Sequence, residues 1–345
     1  MNKIINKVIS FILCIAVTLG VISTMDLSKV YAADPVAIVI DPGHGGSNLG
    51  TDYLPVPEKN YNMVVALYMK EQLEKYQNVK VYLTHTEDID MSLQQRAEYA
   101  AKVDADFLIS LHFNMSLSHS LYGSEVWIPS TGSLYSQGYS LGTEFMNQFE
   151  QMGLFSRGIK TRIGKNGNDY YGIIRQCSLK GIPSMIVEHC HVDHNKDASF
   201  IQSTEKLKEF GVRDAEAVAK YFGLVSKDKK TDYRTYAPLA VPIPETPVCN
   251  DVTAPSYVNA SLTKYDKTGK NATVNLTAFD EESVLQYYSY SYDNGITWSE
   301  LQPWSKGSTN MAISIKLDYV KKKSLVFRVY NQYDLYTVSN SVKLN

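Results

Sequence analysis

Between Val36 and Leu224 short apolar runs alternate with helical stretches, and this alternation restricts the region to an α/β layer structure with a largely parallel sheet. Ala37 to Asp41 (AIVID), Val79 to Thr84, Phe107 to His112 (FLISLH), Ser124 to Ile128 (SEVWI) and Pro183 to Glu188 (PSMIVE) read as strands. Between them, Val65, Met69, Leu73 and Tyr76 keep one apolar helical face, and Ser92–Val103 and Gly138–Met152 are further helices. Ala198 to Phe222 closes the region as one long or broken helix.

Around Val225 the pattern stops. Pro238, Pro242, Pro244, Pro247 and Pro255 fall within some thirty residues without periodicity, which predicts a semi-rigid spacer over 225–255. The lysines at 227, 229 and 230 belong to that solvated stretch.

From Ser256 to Asn345 the period becomes two. Val274, Leu276 and Ala278 share a face, as do Tyr288, Tyr290 and Tyr292, then Ile313, Ile315 and Leu317, then Leu325, Phe327 and Val329. Asp293-Asn294-Gly295 is a hairpin signal between two such runs. Short strands at this spacing predict a smaller all-β immunoglobulin-like sandwich over 256–345, with Trp298 and Trp304 in core and rim packing; a sugar-stacking platform is the alternative. The chain thus divides into 33–224, 225–255 and 256–345, after a leader.

The leader is residues 1–32: Lys3 and Lys7, an apolar run from Val8 to Ile22, and Val30-Tyr31-Ala32 before the cut. It predicts an exported chain that begins at Ala33 and keeps no permanent membrane span; the alternative is an anchor, for which the apolar run is short. A net charge of -2 excludes nucleic acid as the main partner, since no basic excess exists to neutralise phosphates. Three cysteines beyond the leader make no disulfide framework, and Cys177 and Cys190 read as buried small hydrophobes, with one disulfide as the alternative.

VEHCHVDH at 187–194 invites a metal-site reading. On an extended stretch, however, successive side chains alternate faces, so Glu188 and His189 cannot enter one site. The strand ends are more informative, because open α/β sheets bind ligands at their carboxyl edge. AIVID runs into Pro42-Gly43-His44-Gly45-Gly46, FLIS ends at His112 with Asn114 beyond, SMIV ends at Glu188, and Glu58 stands before the first helix. Two histidines and a carboxylate are a common ligand set for hydrolytic zinc, and His44, Glu58 and His112 could supply it; separate core or surface roles are the alternative.

DPGHGG at 41–46, Glu58 in PEKNYN, SLHFN at 110–114, GSEVWIP at 123–129 and VE at 187–188 are similar to zinc-dependent N-acetylmuramoyl-L-alanine amidases of the type-3 family. The resemblance runs in order through 36–224 and does not reach the β region. It implies a three-layer αβα hydrolase fold and zinc held by His44, Glu58 and His112. It implies Glu188 as general base and acid toward a zinc-activated water, cutting the bond between N-acetylmuramic acid and L-alanine of bacterial peptidoglycan.

The implied protein is secreted and wall-associated in the bacterial envelope, and 256–345 would bind wall polymer or a protein partner, or act as a spacer. Asn114 either orients substrate or stabilises a turn. His191 and His194 stand where the family pattern has an aromatic residue and Asn, so His191 is expected to fill a semi-buried aromatic position and His194 to cap. A second metal at Cys190, His191 and His194 is the competing reading of this stretch. His85 and His119 are expected at the surface or in loops. The rival functions are a zinc peptidase acting within the stem peptide and a weakly active wall-binding protein.

Overall fold

The computed structural model describes residues 34–344 except 52, 54, 267, 269 and 318–323; the expected leader lies outside the described residues. The α/β region is built from β1 (Val36–Pro42), α1 (Glu58–Leu73), β2 (Val79–Leu83), α2 (Leu93–Lys102), β3 (Phe107–Asn114) and β4 (Ser124–Trp127). It continues with α3 (Gly132–Met152), β5 (Ser156–Lys160), α4 (Gly172–Ser178), β6 (Ser184–His191), α5 (Asn195–Ala198) and α6 (Thr204–Tyr221). The six strands form one sheet in the order β2-β1-β3-β6-β4-β5, parallel except where β4 runs against β6.

The central strands are apolar on both faces because both faces are covered. Ile38, Ile40, Phe107, Ile109, Leu111, Phe113, Met185 and Val187 enter one core with Val65, Met69 and Leu73 of α1 and Phe145, Phe149 and Phe210 of α3 and α6. Val39, Leu108, Trp127 and Ile186 alternate to the other face, under Ala97 and Ala100 of α2 and Ile173, Ile174 and Cys177 of α4. The result is three layers. Each fully buried large side chain here is worth about 1.5–3 kcal/mol of transfer free energy. Local signals set the helix ends: Ser92 and Gln95 close a reciprocal capping box on α2, and Gly153 ends α3 at φ 92°.

Two elements escaped the sequence pattern, β5 and α4. β5 reads SRGIK, yet Arg157 and Lys160 are each 2 % exposed, so its strand character comes from ion pairing inside the fold and not from apolar alternation. The expected closing helix is two, α5 and α6, with Ser203 capping the second through its hydroxyl to Lys206 N–H. α3 starts six residues earlier than its apolar face suggested. His85 is buried, not superficial, with its Nδ1 3.1 Å from Thr84 Oγ1.

Residues 225–255 carry no helix or strand, but they lie against the α/β layers instead of spanning solvent. Proline removes N–H donors and leaves carbonyls free, and hydroxyls of the first region occupy them. Ser140 Oγ donates to Leu239 O at 2.7 Å, Ser136 Oγ to Pro242 O at 2.9 Å and Thr161 Oγ1 to Val248 O at 2.7 Å.

The C-terminal region is all-β, comprising β7 (Tyr257–Asp266), β8 (Asn271–Phe279), β9 (Leu285–Ser291), β10 (Gln302–Pro303), β11 (Asn310–Lys316), β12 (Ser324–Asn331), β13 (Tyr336–Val338) and β14 (Val342–Lys343). One sheet is β11-β8-β7; the other is β10-β9-β12-β13, with β14 on β12. Val274, Leu276, Ala278, Ile313 and Ile315 of the first meet Leu325, Phe327 and Val329 of the second, with Trp304 buried among them. Trp298 lies at the rim, 3.9 Å from the Arg328 guanidinium. Asn294 and Gly295 do take positive φ, 58° and 89°, but inside the longer β9–β10 connection and not a two-residue hairpin. On the reverse face of β9, Tyr287 is fully buried against Tyr122 and Leu301.

Candidate active site

Because β1, β3 and β6 are parallel neighbours, their carboxyl ends open on one edge, and His44, His112 and Glu188 meet there. Side-chain alternation places His112 on the same sheet face as Leu108 and Ser110, and Glu188 on the same face as Ile186. Glu58, the first residue of α1, reaches over from the opposite layer: Phe113 N–H donates to its Oε1 at 3.0 Å and Thr51 N–H to its Oε2 at 2.8 Å. His44 Nε2 and His112 Nδ1 both stand 3.3 Å from Glu58 Oε1. These three residues can place one ligand atom each within 4.8 Å of one another, and they are the one such group among the described residues.

The outward nitrogens of both rings are engaged. His44 Nδ1 is 2.9 Å from Asn48 Oδ1. His112 Nε2 is 3.1 Å from Ser110 Oγ, which donates its own proton to Asp41 Oδ2 at 2.8 Å. An amide oxygen and a hydroxyl oxygen whose proton is committed are acceptors, so each outward nitrogen can carry N–H and the inward nitrogen is the one left to a ligand. Arg96 fixes Asp41 in turn, Nη1 to Oδ1 at 2.6 Å. Burial works to raise the Glu58 carboxyl, but the His112 and His44 contacts outweigh it and hold Glu58 below the usual carboxylate range. Gly43 leaves the room: a Cβ there would lie 2.2 Å from His112 Cε1.

Glu188 is the register partner of His112 on β3 and of Glu125 on β4, so the three side chains form a row across adjacent strands. Glu188 is half-buried, and its Oε2 is closed to solvent and unpartnered. Burial, and then the Glu58 and Glu125 charges, push its pKa well above the usual value. Glu125 is the opposite case. It is 3 % exposed and accepts from Asn114 Nδ2 (2.9 Å), Trp127 Nε1 (3.2 Å), Arg157 Nε (2.8 Å) and Lys160 Nζ (2.6 Å). Burial opposes its charge, yet Lys160 and Arg157 keep its carboxyl below the usual range.

Asn114 is therefore bound to Glu125, while its Oδ1 accepts from Met115 N–H at 2.8 Å. Glu125, Arg157 and Lys160 were not anticipated. A lone Glu inside the apolar run SEVWI was the available signal; nothing in SRGIK announces a buried cation pair.

The remaining residues of VEHCHVDH serve the scaffold. His189 is on the reverse face, stacked with Phe113, and bridges His112 O (2.8 Å) to Asp214 Oδ2 on α6 (2.9 Å). Cys190 joins the core, and Cys177 and Cys190 are free. His191 is 1 % exposed, more enclosed than expected, with Nδ1 donating to Gly123 O at 3.0 Å. His194 caps α5, accepting from Lys196 N–H at 3.2 Å. His119 lies in a loop with its half-exposed ring on Asp193, 2.8 Å away. No helix among the described residues is long and apolar enough to cross a membrane.

Comparison with known proteins gives a consistent result. The family profile Amidase_3, N-acetylmuramoyl-L-alanine amidase, matches residues 38–220. The amidase CwlM of Bacillus licheniformis is 29% identical over 201 residues, which is 58% of this chain and 73% of that protein. The amidase LytC of Bacillus subtilis is 30% identical over 190 residues, 55% of this chain but only 35% of its own length. The solved structure of Cwp6 from Clostridium difficile superposes with a TM-score of 0.50 at 26% identity, over 58% of this chain and 30% of that one. The profile match leaves the C-terminal β region outside, whereas the sheet edge carrying His44, Glu58, His112 and Glu188 falls within residues 38–220. The chain belongs to the Amidase_3 family of N-acetylmuramoyl-L-alanine amidases.

Proposed function

We propose that the protein hydrolyses the amide bond between N-acetylmuramic acid and the first L-alanine of the peptidoglycan stem peptide. The observation that carries this reading is the position of Glu188, in register with His112 at the sheet edge where His44, Glu58 and His112 converge, with one buried oxygen that no described residue satisfies. Two imidazoles whose outward nitrogens are engaged and whose inward nitrogens converge on an ionised carboxylate fit zinc by donor chemistry, and His44, Glu58 and His112 would hold it. Zinc, when bound, polarises the amide carbonyl and makes water a stronger acid.

The chain's own residues handle the proton. Glu188 takes it from the attacking water and returns it to the departing alanine nitrogen. After burial, Glu58 is the largest cause of the raised Glu188 pKa, so positive charge beside Glu58 brings Glu188 toward the ionised form that a base requires. Glu125, with its lone pairs saturated by cations and amides, is a fixed charge and not a second base.

We read 1–32 as an export signal, 33–224 as the catalytic domain, 225–255 as a linker and 256–345 as an immunoglobulin-like sandwich. The protein then acts outside the cell, on the wall. Residues 33–345 incubated with isolated peptidoglycan should release N-terminal L-alanine amines, without new reducing ends, in a chelator-sensitive way. New amines from other stem residues would make it a peptidase. Zinc binding without new amines would leave a wall-binding role.

A further inference from the structure

The two cations on Glu125 differ in what stands behind them. Lys160 makes its hydrogen bond within the α/β region, donating to Glu125 Oε2, with Trp127 of that region and Tyr333 of the β region about its amine at 5.4 and 5.7 Å. Arg157 divides its guanidinium between the two regions of the chain. Its Nε serves Glu125, while Nη1 donates to the Tyr287 hydroxyl at 3.2 Å and Nη2 to Asp334 Oδ2 at 2.8 Å. Tyr287 belongs to β9, and its hydroxyl donates to the Tyr122 carbonyl just before β4. Asp334 sits on the turn between β12 and β13, where φ is 64°. The surfaces are cut to fit: a Cβ on Gly158, between the two cations, would lie 2.5 Å from Gln332 Nε2, whose amide donates to the carbonyls of Arg157 and Ile159.

We propose that the C-terminal β region is part of the catalytic apparatus, with Asp334 and Tyr287 as positioning residues that hold Arg157 on Glu125 and so fix Glu125 beside Glu188. Charge balance supports this. Arg157 and Lys160 are both buried, and Glu125 neutralises only one of them; Asp334 is the second anion. Without Asp334 one buried positive charge is uncompensated and the Nη2 N–H loses its partner, so the arginine must leave Glu125 or draw water into the site. Charge balance is thereby completed across the two regions.

The kinetic consequence rests on the amidase reading; the geometric one does not, and Trp127 separates them because its indole N–H donates to Glu125 Oε1 at 3.2 Å. The chain has three tryptophans, so selective ¹⁵N labelling gives three indole signals. The test uses the full exported chain and compares Asp334→Ala, Asp334→Asn and Tyr287→Phe with Lys196→Ala. Lys196 donates to Leu301 O across the same interface at 3.2 Å and lies over the Tyr122 ring at 3.9 Å, but has no hydrogen bond to Glu125, Arg157, Tyr287 or Asp334.

The expected result is that Asp334→Ala and Tyr287→Phe move the Trp127 signal, leave the other two in place, and lower kcat about 10-fold with KM changed less than about 2-fold. Asp334→Asn, which keeps an acceptor for Arg157, should move both readouts less, and Lys196→Ala neither. A Trp127 signal unmoved by Asp334→Ala and Tyr287→Phe overturns the proposal, as does one moved equally by Lys196→Ala. A rise confined to KM also overturns it, and makes the β region a substrate-binding element. An inactive wild type whose Trp127 signal still follows Asp334 would sink the amidase reading and retain the coupling.

Discussion

His112 and Glu188 are register partners on adjacent parallel strands, and their side chains stand on one face of the sheet. One belongs to the ligand-type cluster with His44 and Glu58; the other has an oxygen that nothing among the described residues satisfies. A strand pairing thus sets the distance between the group that would hold a metal and the group that would move a proton.

Glu188→Gln is expected to abolish most activity while leaving zinc binding intact. Loss of a positioned acid/base group costs about 10²–10⁴ in rate. The check is turnover on isolated peptidoglycan beside metal analysis of the same sample. Loss of zinc along with activity would place Glu188 among the ligands and not opposite them.

His112→Ala should lose both zinc and activity, whereas Ser110→Ala should only loosen the metal. Ser110 Oγ links His112 Nε2 to Asp41, and removing such an orienting partner typically costs 10–100-fold in affinity. Competitive chelator titration measures this. Full zinc stoichiometry and unchanged affinity in His112→Ala would remove it from the ligand set.

Acid should destabilise the protein through His191. Burial, and then Arg157, lowers its pKa from 6.5 to about 4. The unfolded chain therefore binds a proton below about pH 6.5 that the native state refuses until about pH 4, so unfolding gains as pH falls through that window. The loss approaches about 3 kcal/mol at its lower end and is absent above pH 7. His191→Phe forfeits the hydrogen bond to Gly123 O, about 1 kcal/mol at neutral pH, but should flatten this slope. Denaturant melts of both proteins at pH 7 and pH 5 decide it; equal slopes would clear His191.

The layer order and most of the site were legible because each depends on local pattern. AIVID, FLISLH and PSMIVE are apolar on both faces, which only a covered parallel sheet satisfies, and a covered parallel sheet must gather its strand ends at one edge. The placement of His44, His112 and Glu188 near that edge follows from it, while the roles proposed for them rest on the resemblance to type-3 amidases. The turn of His189 away from Glu188 follows from the period of a strand, and the capping by His194 from the short helix it precedes.

What chain order could not specify was the partnership of charges far apart in sequence. Arg157 and Lys160 make SRGIK look like a solvated loop, and become a buried strand only once Glu125, Tyr287 and Asp334 converge on them. The prolines of 225–255 likewise predict extended backbone but not where it lies, because that depends on Ser136, Ser140 and Thr161 offering hydroxyls to carbonyls about a hundred residues distant. Periodicity reports the environment of an element along one axis. Burial of a charge is determined by whichever opposite charge the tertiary fold brings within about 3 Å, and only the folded chain supplies that distance.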